Sequence, residues 1–388
     1  FGWVKNEGKQ PVIFTFEIDE AGKNEWKTLK SVKVNAGKSV SVPFASTEKG
    51  EWIRVKTDKN TLATVSFNYT TADPRSTSSD PIYQGLTTVK QNTTIGGLLY
   101  GLGDNRRALG VLANVTVDGK TSETGYYERG DKVELVRKED TKTTDFIRSK
   151  FAIPQQVVSI EEGSVLIVDD LNRRWRLPLG DETYKELTNQ GVLRVCREVA
   201  TERDMFSCMG TFYELPAENA DGYAKIRPIS THNYRINDYA SYRGMLVLTG
   251  VTPVTPEDTK GNPHIIVSDD GKAAVWVGVI DDLWTLGKPV GHGGPWKNTN
   301  VKAGIASDPY LIGFYDKKEL SLSHQSDKKV VITVEVDPTG NGDWMEYAAY
   351  TVQPGERFVQ QLPEAFQARW IRFVSDTDTK ATAWLDYK

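Results

Sequence analysis

The sequence predicts an all-β fold of β-propeller type, seven blades being the first count and six the next. Three observations lead there. Residues 12–69 repeat as residues 330–387 without a gap, the runs between them read as short strands joined by turn residues, and helical periodicity is almost absent. A propeller places related first and last units side by side at ring closure, and its usual range of four to eight blades suits sheets of this size. Two sandwich domains flanking a separate middle section is the rival arrangement. The working division is therefore one domain, 1–388, carrying the repeated units 12–69 and 330–387.

The repeat is specific. Glu17, Asp19, Gly22, Trp26, Gly37, Trp52, Ile53, Arg54 and Tyr69 meet Glu335, Asp337, Gly340, Trp344, Gly355, Trp370, Ile371, Arg372 and Tyr387. Within the second copy Val330–Val336 alternates with period two, a Gly340–Gly342 turn follows, and Trp344–Val352, Arg357–Leu362 and Arg369–Val374 complete a meandering sheet. Because Trp26, Trp52, Trp344 and Trp370 sit at matching places, they read as packing within blades. Between the copies, strands pair as Leu109–Val117 with Glu123–Glu128, Gln156–Ile160 with Val165–Asp169, and Val192–Val199 with Met205–Leu215. Ala224–Ile229 then pairs with Met245–Val251, and His264–Ser268 with Ala273–Val279. Asp181–Gln190 is the one expected helix. The Asp337–Trp344 segment has the look of a calcium loop, but its counterpart places Lys23 among the required ligands, so both read as hairpin turns without metal.

Composition narrows the function. There are 48 Lys and Arg against 52 Asp and Glu, a net charge of −4, which excludes a general polyanion binder and hence nucleic acid as the partner. No apolar run is long enough for a membrane helix. Two Cys and four His without CxxC or HExxH spacing leave no metal or cofactor to expect. Pairing about Glu202 would set Cys196 opposite Cys208, as a disulfide or as two small buried thiols. The chain opens on strand-like text, Phe1-Gly2-Trp3, with neither Met nor leader, and a secreted or periplasmic monomer whose signal peptide has been removed is the expectation.

Three clusters carry chemistry. The richest is Arg227–Gly244, with His232, Asn233, Arg235, Asp238, Tyr239, Tyr242 and Arg243 inside eighteen residues. An imidazole can act as acid or base near neutrality, and guanidinia can clamp a carboxylate or sulfate. The second is Asp281-Asp282-Leu283-Trp284 with Gly291–Lys297, where His292, Trp296 and Lys297 beside Trp284 have the composition of a sugar subsite. The third is the Tyr100–Arg107 turn, in which Arg106 could meet an anion. Of ten Trp, only Trp284 and Trp296 remain as ligand platforms.

These residues, Thr231-His232-Asn233, Tyr242-Arg243-Gly244, Trp284 and Gly291–Lys297, set on all-β repeats, resemble the seven-bladed propeller enzymes of bacterial glycan degradation. That group includes rhamnosyl-glucuronide-cleaving enzymes and propeller ulvan lyases. The resemblance implies cleavage of a uronic-acid-containing glycan by a hydrolase or lyase, at a His/Tyr/Arg site in the propeller mouth. His232 would be the acid/base, Tyr239 or Tyr242 its proton partner, and Arg235 or Arg243 the carboxylate clamp, with Asp238 the available acid. A non-catalytic glycan-binding propeller is the alternative.

Overall fold

A computed structural model describes residues 1–69, 72–102, 108–129, 134–200, 203–255, 257 and 261–388. The fold is all-β and propeller-like, built of sheets that are antiparallel except where Arg174–Leu177 runs parallel to Tyr310–Leu311, with short helices at Thr141–Lys150 and Thr183–Asn189. The first of these helices escaped the sequence reading, although Asp140 caps it by accepting the Thr143 N–H. No helix among the described residues is long and apolar enough to cross a membrane.

The repeat is real in three dimensions, but its unit is a two-layer sandwich rather than one meandering sheet. In the first copy Val12–Asp19 lies between Trp26–Val34 and Trp52–Thr57, while Gly2–Asn6 lies between Ser39–Val42 and Ala63–Phe67. Val4 and Val42 from one layer pack with Phe14, Phe16 and Val34 from the other. In the last copy Val330–Asp337 lies between Met345–Val352 and Trp370–Ser375, and Lys318–His324 between Phe358–Gln361 and Thr379–Tyr387. Even the bulge recurs, at Phe16/Glu17 and at Val334/Glu335. Period-two alternation gives each central strand its buried face: Val330, Ile332, Val334 and Val336 are fully enclosed. Each hairpin turn is held by its aspartate. Asp337 accepts the N–H groups of Thr339, Gly340, Asn341 and Gly342, and Asp19 those of Ala21, Lys23 and Asn24.

The two ends of the chain meet. The Trp3 indole donates to the Gln367 carbonyl at 2.8 Å and packs edge-on to Phe366 and Tyr347. Between them stand three four-stranded antiparallel sheets. Thr93–Gly101, Leu109–Val117, Lys120–Arg129 and Leu135–Lys138 follow one another as a meander, as do Cys196–Ala200, Arg203–Cys208, Thr211–Pro216 and Arg227–Thr231. The third joins Tyr239–Tyr242, Met245–Leu248, Ala274–Gly278 and Ile265–Val267. A short sheet, Ser159–Ile160, Val165–Val168 and Arg174–Leu177, continues through Tyr310–Leu311 into the last sandwich. The last copy thereby shares one core with the middle section, whereas the inner faces of the first enclose their own.

One expected pairing holds only in part and one fails. Cys196–Ala200 pairs with Arg203–Cys208, but Met205–Leu215 is two strands, because Met209 and Gly210 turn at positive φ; Arg227–Thr231 then pairs with Thr211–Pro216, not with Met245–Leu248. The register of the preceding pair, with its irregularity between Glu198 and Ala200, shifts the cysteines. Cys196 faces Phe206, and both cysteines are free thiols whose pKa burial pushes up to about 12.

Candidate functional site

The Arg227–Gly244 segment is not one loop. It closes one four-stranded sheet and opens the next, so its polar residues are divided among structural tasks. Asp238 is fully buried and accepts from Arg194, Arg197 and the Leu99 and Tyr239 N–H groups. Tyr239 is equally buried, its hydroxyl donating to the Met205 carbonyl at 2.8 Å. Tyr242 is buried, and Arg243 with Gly244 forms the two-residue turn between paired Tyr242 and Met245. Their φ angles of 52° and 78° are those of a primed hairpin turn. Arg235 is buried and its Nε has no partner among the described residues; burial lowers its pKa.

His232 is buried between Phe212 and Tyr234. Its Nδ1 accepts the Tyr234 N–H at 3.1 Å, which leaves the proton on Nε2, an atom without a partner among the described residues. Burial drives its pKa down to about 3, so the ring is neutral and a poor acid/base near pH 7. The stability it contributes is full above its unfolded pKa of about 6.5 and is lost as pH falls toward 3. Wild type should therefore lose about 2 kcal/mol more than His232→Gln between pH 7.5 and pH 5 in urea titrations. Equal losses would mean a solvated, ordinary imidazole.

The second cluster is also divided. His292 stacks on Trp384 at 5.7 Å and lines, with His232 and Asn233, a cleft of about 680 Å³. Trp296 is buried against Phe373, while Lys297, next along the strand, turns out over Trp384 at 4.2 Å. Arg106 lies outside the described residues. Trp284 belongs elsewhere.

Trp284 sits in a cleft of about 590 Å³ where both sandwiches meet the middle section. It is carried on the short helical turn Ile280–Thr285, which Asp282 fixes by accepting the Val279 N–H at 2.7 Å. The indole is 40 % exposed, with the guanidinia of Arg75 and Arg227 5.0 and 5.7 Å from its ring centre. Arg75 is anchored by Asp73 and by the Ile229 carbonyl, and Arg227 by Glu214 at 2.6 Å. Arg369 completes the cationic wall across the Phe314 ring, its pKa lowered by burial and by Arg227. The facing carboxyl groups are Asp73, Asp316 and Glu364. Burial would raise the Asp73 carboxyl, but hydrogen bonds from Arg75 outweigh it and hold it below its ordinary value. Asp316 lies 3.4 Å from the Lys288 ammonium. Such a cleft can stack a sugar face on the indole and hold a carboxylate or sulfate with fixed guanidinium donors. Of its members the sequence marks Trp284 and places Arg227 at the border of a cluster. Arg75, Arg369 and the three acids come from distant segments, and the only signal for them was an isolated Asp73-Pro74-Arg75.

No family model matches the chain, and no curated protein does. Among solved structures, similarity is found to a Bombyx mori GH32 beta-fructofuranosidase at 10 % identity and a TM-score of 0.17, covering 76 % of this chain and 79 % of that one. A glycoside hydrolase family 43 arabinoxylan arabinofuranohydrolase from Bacillus subtilis gives 10 % identity, a TM-score of 0.18 and the same coverages. The V. cholerae biofilm matrix protein Bap1 gives 9 % and 0.11, over 97 % of this chain and 68 % of that one. Overlap this slight carries no argument about activity; the fold rests on the sheets themselves and the candidate site on its own geometry.

Proposed function

We propose that the protein is a carbohydrate-active enzyme that binds an acidic glycan in the Trp284 cleft and cleaves a glycosidic bond there. One observation carries the reading: a half-exposed indole flanked by anchored arginines faces three carboxyl residues in a single cleft. A glycoside hydrolase needs two carboxyl groups about 5–10 Å apart. Asp73 is held through both oxygens by Arg75, whereas Asp316 meets Lys288 at 3.4 Å through one, so Asp316 and Glu364 are the pair to test. Hydrolysis is favoured over elimination because the cleft offers carboxyl groups while His232, the base that the resemblance implies, is buried outside its lining.

Binding without cleavage is the second reading, favoured by the ion pairs that already occupy Asp73 and Asp316. Uronate-containing oligosaccharides incubated with the protein separate the cases. Reducing ends without new unsaturated-uronate absorbance are expected from hydrolysis. Binding with neither product supports the second reading, absorbance supports elimination, and no binding to any acidic glycan defeats both.

A further inference from the structure

The two sandwiches use one tryptophan in opposite ways. Trp370 of the last copy is fully buried, 4.7 Å from Trp175, and its indole donates to the Ala224 carbonyl at 2.9 Å. Its counterpart Trp52 is 65 % exposed, contrary to its reading as a packing residue. The neighbouring position has changed with it. Arg369, which donates to the Ile226 carbonyl, is answered in the first copy by Glu51. The face that docks on the middle section in one copy is thus open in the other.

Trp52 lines a groove of about 640 Å³ together with Phe44, Ile53 and Tyr69, the last 85 % exposed. This groove adjoins the Trp284 cleft, since Phe67, Asn68, Tyr69 and Glu364 line both. The two ends differ in charge: among the described residues the ionised side chains lining the outer groove are Glu48 and Glu364, whereas the inner cleft adds Arg75, Arg227 and Arg369 together with Asp73 and Asp316.

We infer that the groove is an outer subsite of the same glycan path, in which Trp52 stacks on a neutral sugar while the arginines hold an acidic one. The substrate class is then a glycan mixing uronate and neutral units. This rests on the reading above, and it adds which sugar lies where. The continuity of the lining commits the occupant to the same chain, and the carboxylates select hydroxyl donors over anions.

The test uses the full chain and calorimetric binding of mixed uronate–neutral oligosaccharides of about two and about eight units. Trp52→Ala should weaken the longer probe about tenfold and leave the shorter unchanged, and Tyr69→Ala, at the junction of the two spaces, should weaken the longer probe as well. Trp284→Ala should weaken both. If neither Trp52→Ala nor Tyr69→Ala affects the longer probe while Trp284→Ala affects both, the outer subsite is wrong and the cleft assignment stands. If Trp284→Ala affects neither, the cleft assignment itself falls. A change in oligomeric state on Trp52→Ala, with binding intact, would mark the face as a protein contact and overturn the inference.

Discussion

Asp238→Ala is expected to cost about 3–5 kcal/mol, seen as a fall of roughly 5–15 °C in Tm. The carboxylate is fully buried where three sheets converge. It accepts Arg197 Nη1 at 3.1 Å, the Arg194 guanidinium, the Leu99 N–H at 2.9 Å and the Tyr239 N–H at 2.8 Å. Removing it leaves two guanidinia, one of them buried, without their counter-charge and with only the Phe151 and Leu99 carbonyls, and takes an acceptor from the Leu99 and Tyr239 N–H groups, each at its desolvation cost. The cost comes from the unpaired cations more than from the value of the pair. Asp238→Leu combined with Arg194→Met and Arg197→Leu should accordingly recover part of the lost stability. Loss of activity with Tm unchanged would instead return Asp238 to the catalytic role its neighbours in sequence suggested.

That suggestion shows where the sequence was legible and where it was not. The repeat could be read because hairpin turns constrain single residues: Asp19 and Asp337 must gather backbone N–H groups, and Gly22 and Gly340 must turn at positive φ. That each copy is a sandwich was hidden, because Gly2–Asn6 pairs with Ser39–Val42 and Ala63–Phe67 while its chain neighbour Val12–Asp19 enters the other layer. Alternation marks a buried face without naming what buries it. The site failed for a related reason. Density of polar residues along the chain selected Arg227–Gly244, yet polar groups at a sheet junction are there to satisfy one another. Asp238 finds Arg194 and Arg197 some forty residues upstream, and Tyr239 finds Met205. Conversely Arg75, Arg227, Trp284 and Arg369 converge from four separate segments, a juxtaposition that only folding creates.

The two tryptophans singled out from the sequence should give opposite phenotypes. Trp296→Ala removes a buried ring packed on Phe373 and should cost about 3–5 kcal/mol of stability, with the affinity of the surviving folded protein unchanged. Trp284→Ala leaves stability within about 1 kcal/mol of wild type, because the ring is already 40 % in solvent and Asp282 still fixes its turn. Its effect falls on the ligand: affinity for an acidic oligosaccharide should drop about 30-fold, equivalent to about 2 kcal/mol. The indole supplies the stacking face and also the surface against which Arg75 and Arg227 are held, so Trp284→Phe should keep part of the affinity. Arg227→Lys tests the other half. It keeps the charge but loses the planar fork that Glu214 presents toward the cleft, and should weaken an acidic ligand while sparing a neutral analogue of the same length. Rising salt should reproduce that selectivity in the wild type, since added ions screen guanidinium–carboxylate attraction and leave stacking nearly untouched. Equal loss for charged and neutral ligands in Arg227→Lys would show that the arginines serve only to position the indole, and the acidic sugar would have to be sought elsewhere.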